Sequence, residues 1–136
     1  MKSNLIVRLL LLGFLSWLIP FGISFLFYRP GGELIVPCST FKSFMIVVGT
    51  MSGCLLLVQY FKLIRTNFIK HAIIVGSSWL AINLVLDSII LIPMMRTSFV
   101  QYLMSIGLGY LAIPSISITI GYLLRRQASG TMTDDR

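Results

Sequence analysis

Trp79-Leu80-Ala81-Ile82-Asn83-Leu84-Val85-Leu86-Asp87 lies in the middle of a long apolar run and ends on the one carboxylate set well inside such a run. A carboxylate near the centre of a membrane helix costs about 2.5–3.5 kcal/mol on insertion scales, so such acids face a bundle interior or a cavity. Gly76, Leu80, Asn83 and Asp87 recur at three- and four-residue spacing, which places them on one side of a helix. That side is predicted to face protein. Asn83 stands one turn from Asp87, within reach to donate a hydrogen bond to it.

The surrounding composition decides the class. The chain of 136 residues is 57% hydrophobic and 11% charged, with a mean hydropathy of +0.93. Four runs, at about 9–28, 43–61, 72–95 and 98–124, reach the ~20 residues that a helix needs to cross a bilayer core. None alternates apolar and polar residues as a barrel strand does, and backbone groups in lipid must be satisfied within the segment. The sequence therefore predicts an all-α transmembrane four-helix bundle, antiparallel and up-down-up-down, formed by a single domain over residues 1–124. Residues 125–136 are polar, without an apolar face, and are predicted to be a disordered cytoplasmic tail.

Charge sets the expected orientation. Net charge is +7. Lys2, Arg8, Lys62, Arg65, Lys70, Arg125, Arg126 and Arg136 fall at the amino end, in the middle loop and in the tail, which four crossings place on one side. Arg29, Lys42 and Arg96 fall on the other. The asymmetry follows the positive-inside rule, so both termini are expected in the cytoplasm of a prokaryotic cell and the bundle in its inner membrane. The basic excess is accounted for by topology, and no basic domain or aromatic-interleaved patch points to nucleic acid. Lys2 and Arg8 precede an apolar run too long for a signal-peptide core, so the first span reads as a retained anchor.

Within the spans, small residues mark expected helix contacts. Gly49 and Gly53 form a small-xxx-small pair in the second span, Gly76 lies on the Asp87 side of the third, and Ser105 and Gly109 repeat the spacing in the fourth. Lys42, Gly49, Gly53 and Tyr60 share one stripe of the second span, read as packing. Ser16, Pro20 and Ser24 share one face of the first, read the same way. Pro20 and Pro114 are expected to bend their helices. His71 is expected at the headgroups, with no His, Cys or Glu three or four residues away to complete a metal site. Cys38 and Cys54 are too far apart along the chain's expected path to pair, and neither makes a Cys-x-x-Cys motif.

One constellation carries chemical content. Lys42 opens the second span at the outer surface, and Asp87 lies ~9 Å beneath that surface on the third. The sequence thus predicts a buried polar cluster of Asp87, Asn83 and Lys42, with Arg96 or Arg29 as substitute cations. The strings Trp17-Leu18-Ile19-Pro20-Phe21, 41–49 and 79–87 resemble a prokaryotic group of small four-span membrane proteins with no assigned activity. That resemblance implies a four-helix inner-membrane protein and carries no activity, cofactor or site.

The expected function is non-enzymatic, a structural or accessory role in the bilayer, because no nucleophile with its base, metal-ligand set or paired carboxylates is present. No cofactor is expected. The alternative is a homo-oligomeric proton- or cation-coupled transporter of a small solute, using Asp87. The topology has a direct test. A fluorescent protein fused after Arg136 is expected to fluoresce in the cytoplasm, and alkaline phosphatase inserted after Gly32 to be active outside it; the reverse pattern would show the opposite orientation.

Overall fold

The computed structural model describes residues 3–95, 98–105 and 107–130. Its regular elements are helices: α1 Ser3–Ser24, a 3-10 turn Phe25–Phe27, α2 Cys38–Phe61, α3 Phe68–Leu86, a π-helical turn Asp87–Leu91, α4 Ile92–Met95, α5 Phe99–Ser105, a 3-10 segment Gly107–Leu111 and α6 Ala112–Gly130. Four stretches are long and apolar enough to cross a membrane: Asn4–Phe27, Cys38–Phe61, Phe68–Leu91 and Gly107–Gly130. Each is 24 residues, or ~36 Å of helix against a core of about 30 Å. The protein is an integral membrane four-helix bundle.

The third crossing is the centre of the arrangement, and its small residues explain why. A Cβ added to Gly76 would stand 2.8 Å from the Pro114 Cα, and one added to Gly121 would stand 2.6 Å from the Ala72 Cβ. Only glycine lets α3 and α6 come this close, and the Ser117 Oγ, fully buried, donates to the Ala72 carbonyl at 2.8 Å between them. Alongside these contacts α3 also meets α1. A Cβ on Gly13 would lie 2.7 Å from the Trp79 indole, and the Trp79 Nε1 donates to the Leu9 carbonyl at 2.9 Å. Trp79, Tyr60, Leu57 and Val75 form the buried apolar core with Leu9 and Ile113. Outward faces such as Val7, Leu26, Met51, Leu55 and Ile89 remain exposed, as a surface covered by acyl chains requires.

Two of the five glycine and serine contacts read from the sequence are placed differently. Gly76 and Gly109 do meet neighbours, the latter with Ile46 at 3.6 Å from an added Cβ. Gly49 approaches only Pro20, at 3.9 Å, and Gly53 has nothing within 4 Å. These two open a space in place of a contact. The side chain of Ser105 lies outside the described residues. Gly121, which stands at small-xxx-small spacing from Ser117, mediates close approach to Ala72, and Gly13, among aliphatic neighbours, does the same at Trp79.

Boundaries moved for local reasons. The third crossing starts at Phe68, earlier than residue 72, because Asn67 takes the left-handed conformation with φ 54° and its carbonyl accepts from the His71 amide at 3.1 Å. The last helix continues to Gly130 through residues expected to be disordered, since arginine, glutamine and alanine are good helix formers. Residues 131–136 lie outside the described ones. Between the first two crossings, Gly31 and Gly32 take φ 134° and 85°, turning the chain so that the Arg29 amide bonds the Glu33 carbonyl at 2.9 Å and Tyr28 bridges Leu34.

The close helix contacts give a test. Gly76→Leu forces α3 from α6 and is expected to destabilise the bundle by about 1–3 kcal/mol or more, measured by denaturation in mixed micelles. Gly22→Ala, at a position with open space, is expected to leave stability within about 1 kcal/mol or raise it.

Candidate functional site

The polar side chains of the third crossing climb one face, Trp79, Asn83 and Asp87, each a helical turn above the last, and α1 follows in parallel. Asn83 is 1% exposed and donates through Nδ2 to the Ser16 Oγ at 3.0 Å and to the Trp79 carbonyl at 2.8 Å. The Ser16 hydroxyl in turn donates to the Gly13 carbonyl at 2.7 Å. Asp87, also 1% exposed, accepts from the Trp17 Nε1 at 2.7 Å on Oδ1. On Oδ2 it accepts from the Tyr110 hydroxyl at 2.6 Å and from the Tyr102 hydroxyl. One carboxylate thus joins the first, third and fourth regions of the chain. Among the described residues no buried side-chain polar atom is left without a partner.

Asp87 and Asn83 are therefore turned inward, as their spacing predicts. Lys42 is brought to the same cavity but does not pair with Asp87: the donors that bind the carboxylate are neutral. Register gives the reason. Gly49 stands opposite Pro20, and Trp17, three residues earlier in α1, bonds Asp87. Counting residues from Gly49 to Lys42 and from Pro20 to Trp17 puts the Lys42 backbone ~15 Å along the bundle from that of Trp17, the residue that meets the carboxylate. Helical side chains also lean toward the helix N-terminus, so Lys42, near the start of α2, leans away from Asp87. Arg29 is exposed and does not bond Asp87 either, while Arg96 lies outside the described residues.

The three donors were not singled out in the sequence because each is an aromatic residue in an apolar run. Their N–H and O–H groups are the available signal: a buried tryptophan or tyrosine needs an acceptor, and Asp87 is the carboxylate at that depth. Tyr110 reaches it because the fourth crossing is broken there. Pro114 cannot donate to the Tyr110 carbonyl, and Gly107–Leu111 winds as a 3-10 segment that ends where α6 begins. Asp87 itself opens the π-helical turn, with the Ile92 amide bonding the Asp87 carbonyl. Pro93, next along, cannot supply the ordinary bond, and a wide turn is one of the adjustments that accommodate proline in membrane helices.

A cavity of about 110 Å³ lies between the four crossings and reaches the cluster. Ser16, Trp17, Pro20 and Ser24 line it from the first crossing, so the face read as packing borders open space. Gly49, Gly53 and Cys54 line it from the second, with Lys42, Tyr28 and Phe41 toward one end; Asn83, Asp87, Tyr110 and Ile113 complete the wall. Burial pushes the Tyr28 hydroxyl above the ordinary tyrosine value, with Cys38 nearby adding to it, so this end of the cavity has a neutral phenol. Tyr60, the fourth member of the Lys42 stripe, points elsewhere: its hydroxyl meets the His71 Nδ1 at 3.2 Å, and that histidine is half-buried rather than solvated. Cys38 and Cys54 are both free thiols. Among the described residues no three His, Cys, Asp or Glu side chains gather as a metal site.

No protein-family model, curated protein or solved structure matches this chain. What it does must be read from its own geometry.

The hydrogen-bond junction predicts an order of effects. Tyr110→Phe removes one donor and is expected to cost about 0.6 kcal/mol, up to about 1.7, the range for hydrogen bonds between membrane helices. Asp87→Leu strands the Trp17, Tyr102 and Tyr110 donors together and is expected to cost several-fold more. Equal losses in the two variants, measured in mixed-micelle denaturation, would show that the carboxylate is not the junction.

Proposed function

We propose that this chain is a non-enzymatic multi-pass membrane protein that binds a small molecule between its four crossings, with the Asp87 cluster holding the helices around the site. The observation that carries the reading is the cavity of about 110 Å³ that touches Asp87 and Asn83. A larger side chain at Gly53 would remove it, because nothing lies within 4 Å of an added Cβ there. Keeping glycine, at a helix-propensity cost of about 1 kcal/mol, makes sense where the space itself is used. The wall is mainly apolar with a few convergent polar groups, the composition of small-molecule sites.

A second reading is supported by the same contact between cavity and acid: a proton- or cation-coupled transporter of a small solute, acting as a homo-oligomer. In that reading Asp87→Asn, reconstituted in liposomes, keeps its fold and loses pH-dependent solute flux. Loss of the folded protein alone would return Asp87 to a structural role. The proposal places the bundle in a prokaryotic inner membrane with both termini in the cytoplasm, and its support is the distribution of Lys and Arg among the loops.

The cavity reading is tested by filling it. Gly53→Leu is expected to fold and to resist denaturation in mixed micelles by about 1 kcal/mol or more over the wild type, since helix propensity and space filling act in the same direction. A destabilised Gly53→Leu protein would mean that the space is not there in the membrane, and would remove the ligand-binding reading.

A further inference from the structure

The ligand class can be read from the chemistry of the cavity wall, an inference that rests on the binding reading above. We propose that the site takes a small organic cation with an apolar body, seated against the Trp17 and Tyr110 rings with its charge facing Asp87. Three observations converge on it.

The first is the sign of the charge. Asp87 is the carboxylate of the wall, and every group bonded to it, the Trp17 indole and the Tyr102 and Tyr110 hydroxyls, is neutral. Donors of this kind satisfy the oxygens without cancelling the charge. Two of them share Oδ2, while among the described residues Oδ1 accepts from Trp17 alone and keeps acceptor capacity. Lys42 is the cation of the wall and sits beside Tyr28 and Phe41 at the other end of the cavity, unpaired with Asp87. The deep half therefore presents an acidic side chain bonded to neutral donors, the place in the wall where a guest's positive charge is met.

The second is the nature of the remaining surface. Trp17, Phe21, Phe41 and Tyr110 contribute aromatic rings to the wall, with Trp17 and Phe21 stacked on each other at 4.5 Å between centroids and 18° from parallel. Aromatic faces attract cations and accommodate apolar groups equally well, whereas they offer nothing to an anion. The third is the donor count. A divalent metal seeks six or more oxygen ligands, or a tetrahedral set of nitrogen and sulfur. Here one carboxylate with most of its lone pairs engaged stands among neutral aromatic groups, and no three ligating side chains gather among the described residues. An organic cation, with its charge spread over an apolar body, suits that wall.

The test compares two molecules of one shape, chosen small for a cavity of about 110 Å³. Tetramethylammonium and neopentane differ in a nitrogen for a carbon and in one positive charge; acetate supplies an anion. Binding to the purified full chain in detergent micelles is measured by titration calorimetry, with Gly53→Leu as the blank for partition into the micelle. The cation is expected to bind about tenfold or more tightly than neopentane, acetate not at all, and Asp87→Asn to lose the preference while still binding neopentane. Should Asp87→Asn be recovered unfolded, sodium and choline chloride are titrated against wild-type tetramethylammonium binding: choline is expected to compete and sodium not to. If neopentane binds as well as the cation, the charge assignment is overturned and the cavity reading stands. If no probe gives heat above the Gly53→Leu blank, both fail together.

Discussion

A carboxylate placed inside a membrane bundle must be met by donors or it unfolds the bundle, and Asp87 meets this constraint with groups from three parts of the chain. Trp17 arrives from α1, and Tyr102 and Tyr110 arrive from either side of the break in the fourth crossing. The constraint propagates downward. Asn83 and Trp79 repeat the same contact with α1 at each lower turn, so α1 and α3 are fixed in register along the length of the ladder. With α1 held by the polar side chains at Trp79, Asn83 and Asp87, the small residues Ala72 and Gly76 further down the helix leave room for the close contacts to α6. Polar bonds and small residues thus divide the third helix between two neighbours, and the second crossing packs into the core through Leu56, Leu57, Tyr60 and Phe61, with the cavity nearer its start beside Gly49 and Gly53.

This division shows how much of the molecule was legible beforehand. Four apolar runs of sufficient length establish four crossings by elementary solvation, and the spacing of Gly76, Asn83 and Asp87 establishes which side of the third faces inward. Neither inference needs tertiary knowledge. The partner of Asp87 did need it. Placing Lys42 opposite the acid assumed that both were measured from a common surface, but the true offset between α1 and α2 puts Gly49 level with Pro20, a register with no signature in the sequence. Electrostatic intuition also favoured a cation where the fold uses aromatic N–H and O–H groups. Those groups are hidden in sequence because tryptophan and tyrosine read as apolar filling until an acceptor is seen beside them.

Glycine was informative about proximity but silent about its kind. The same small-xxx-small spacing marks Gly76, where another helix presses in, and Gly53, where none does. A missing side chain permits both outcomes, and only the neighbouring helix decides between them. The consequence for the site is direct: Ser16, Pro20 and Ser24 on one helix and Gly49 and Gly53 on the next face each other across space rather than across a seam. That pairing of two lightly furnished faces is what distinguishes a chamber from a contact in a bundle of this size.

The wide turn that begins at Asp87 ties the chamber to the end of the molecule. The residue whose side chain fastens three crossings is the same one whose carbonyl receives the Ile92 amide across five residues. Main chain and side chain at that point form a single lever, with the aromatic junction on one arm and α4 on the other. The placement of the carboxylate and the direction in which residues 92–95 leave the crossing are therefore fixed at one residue.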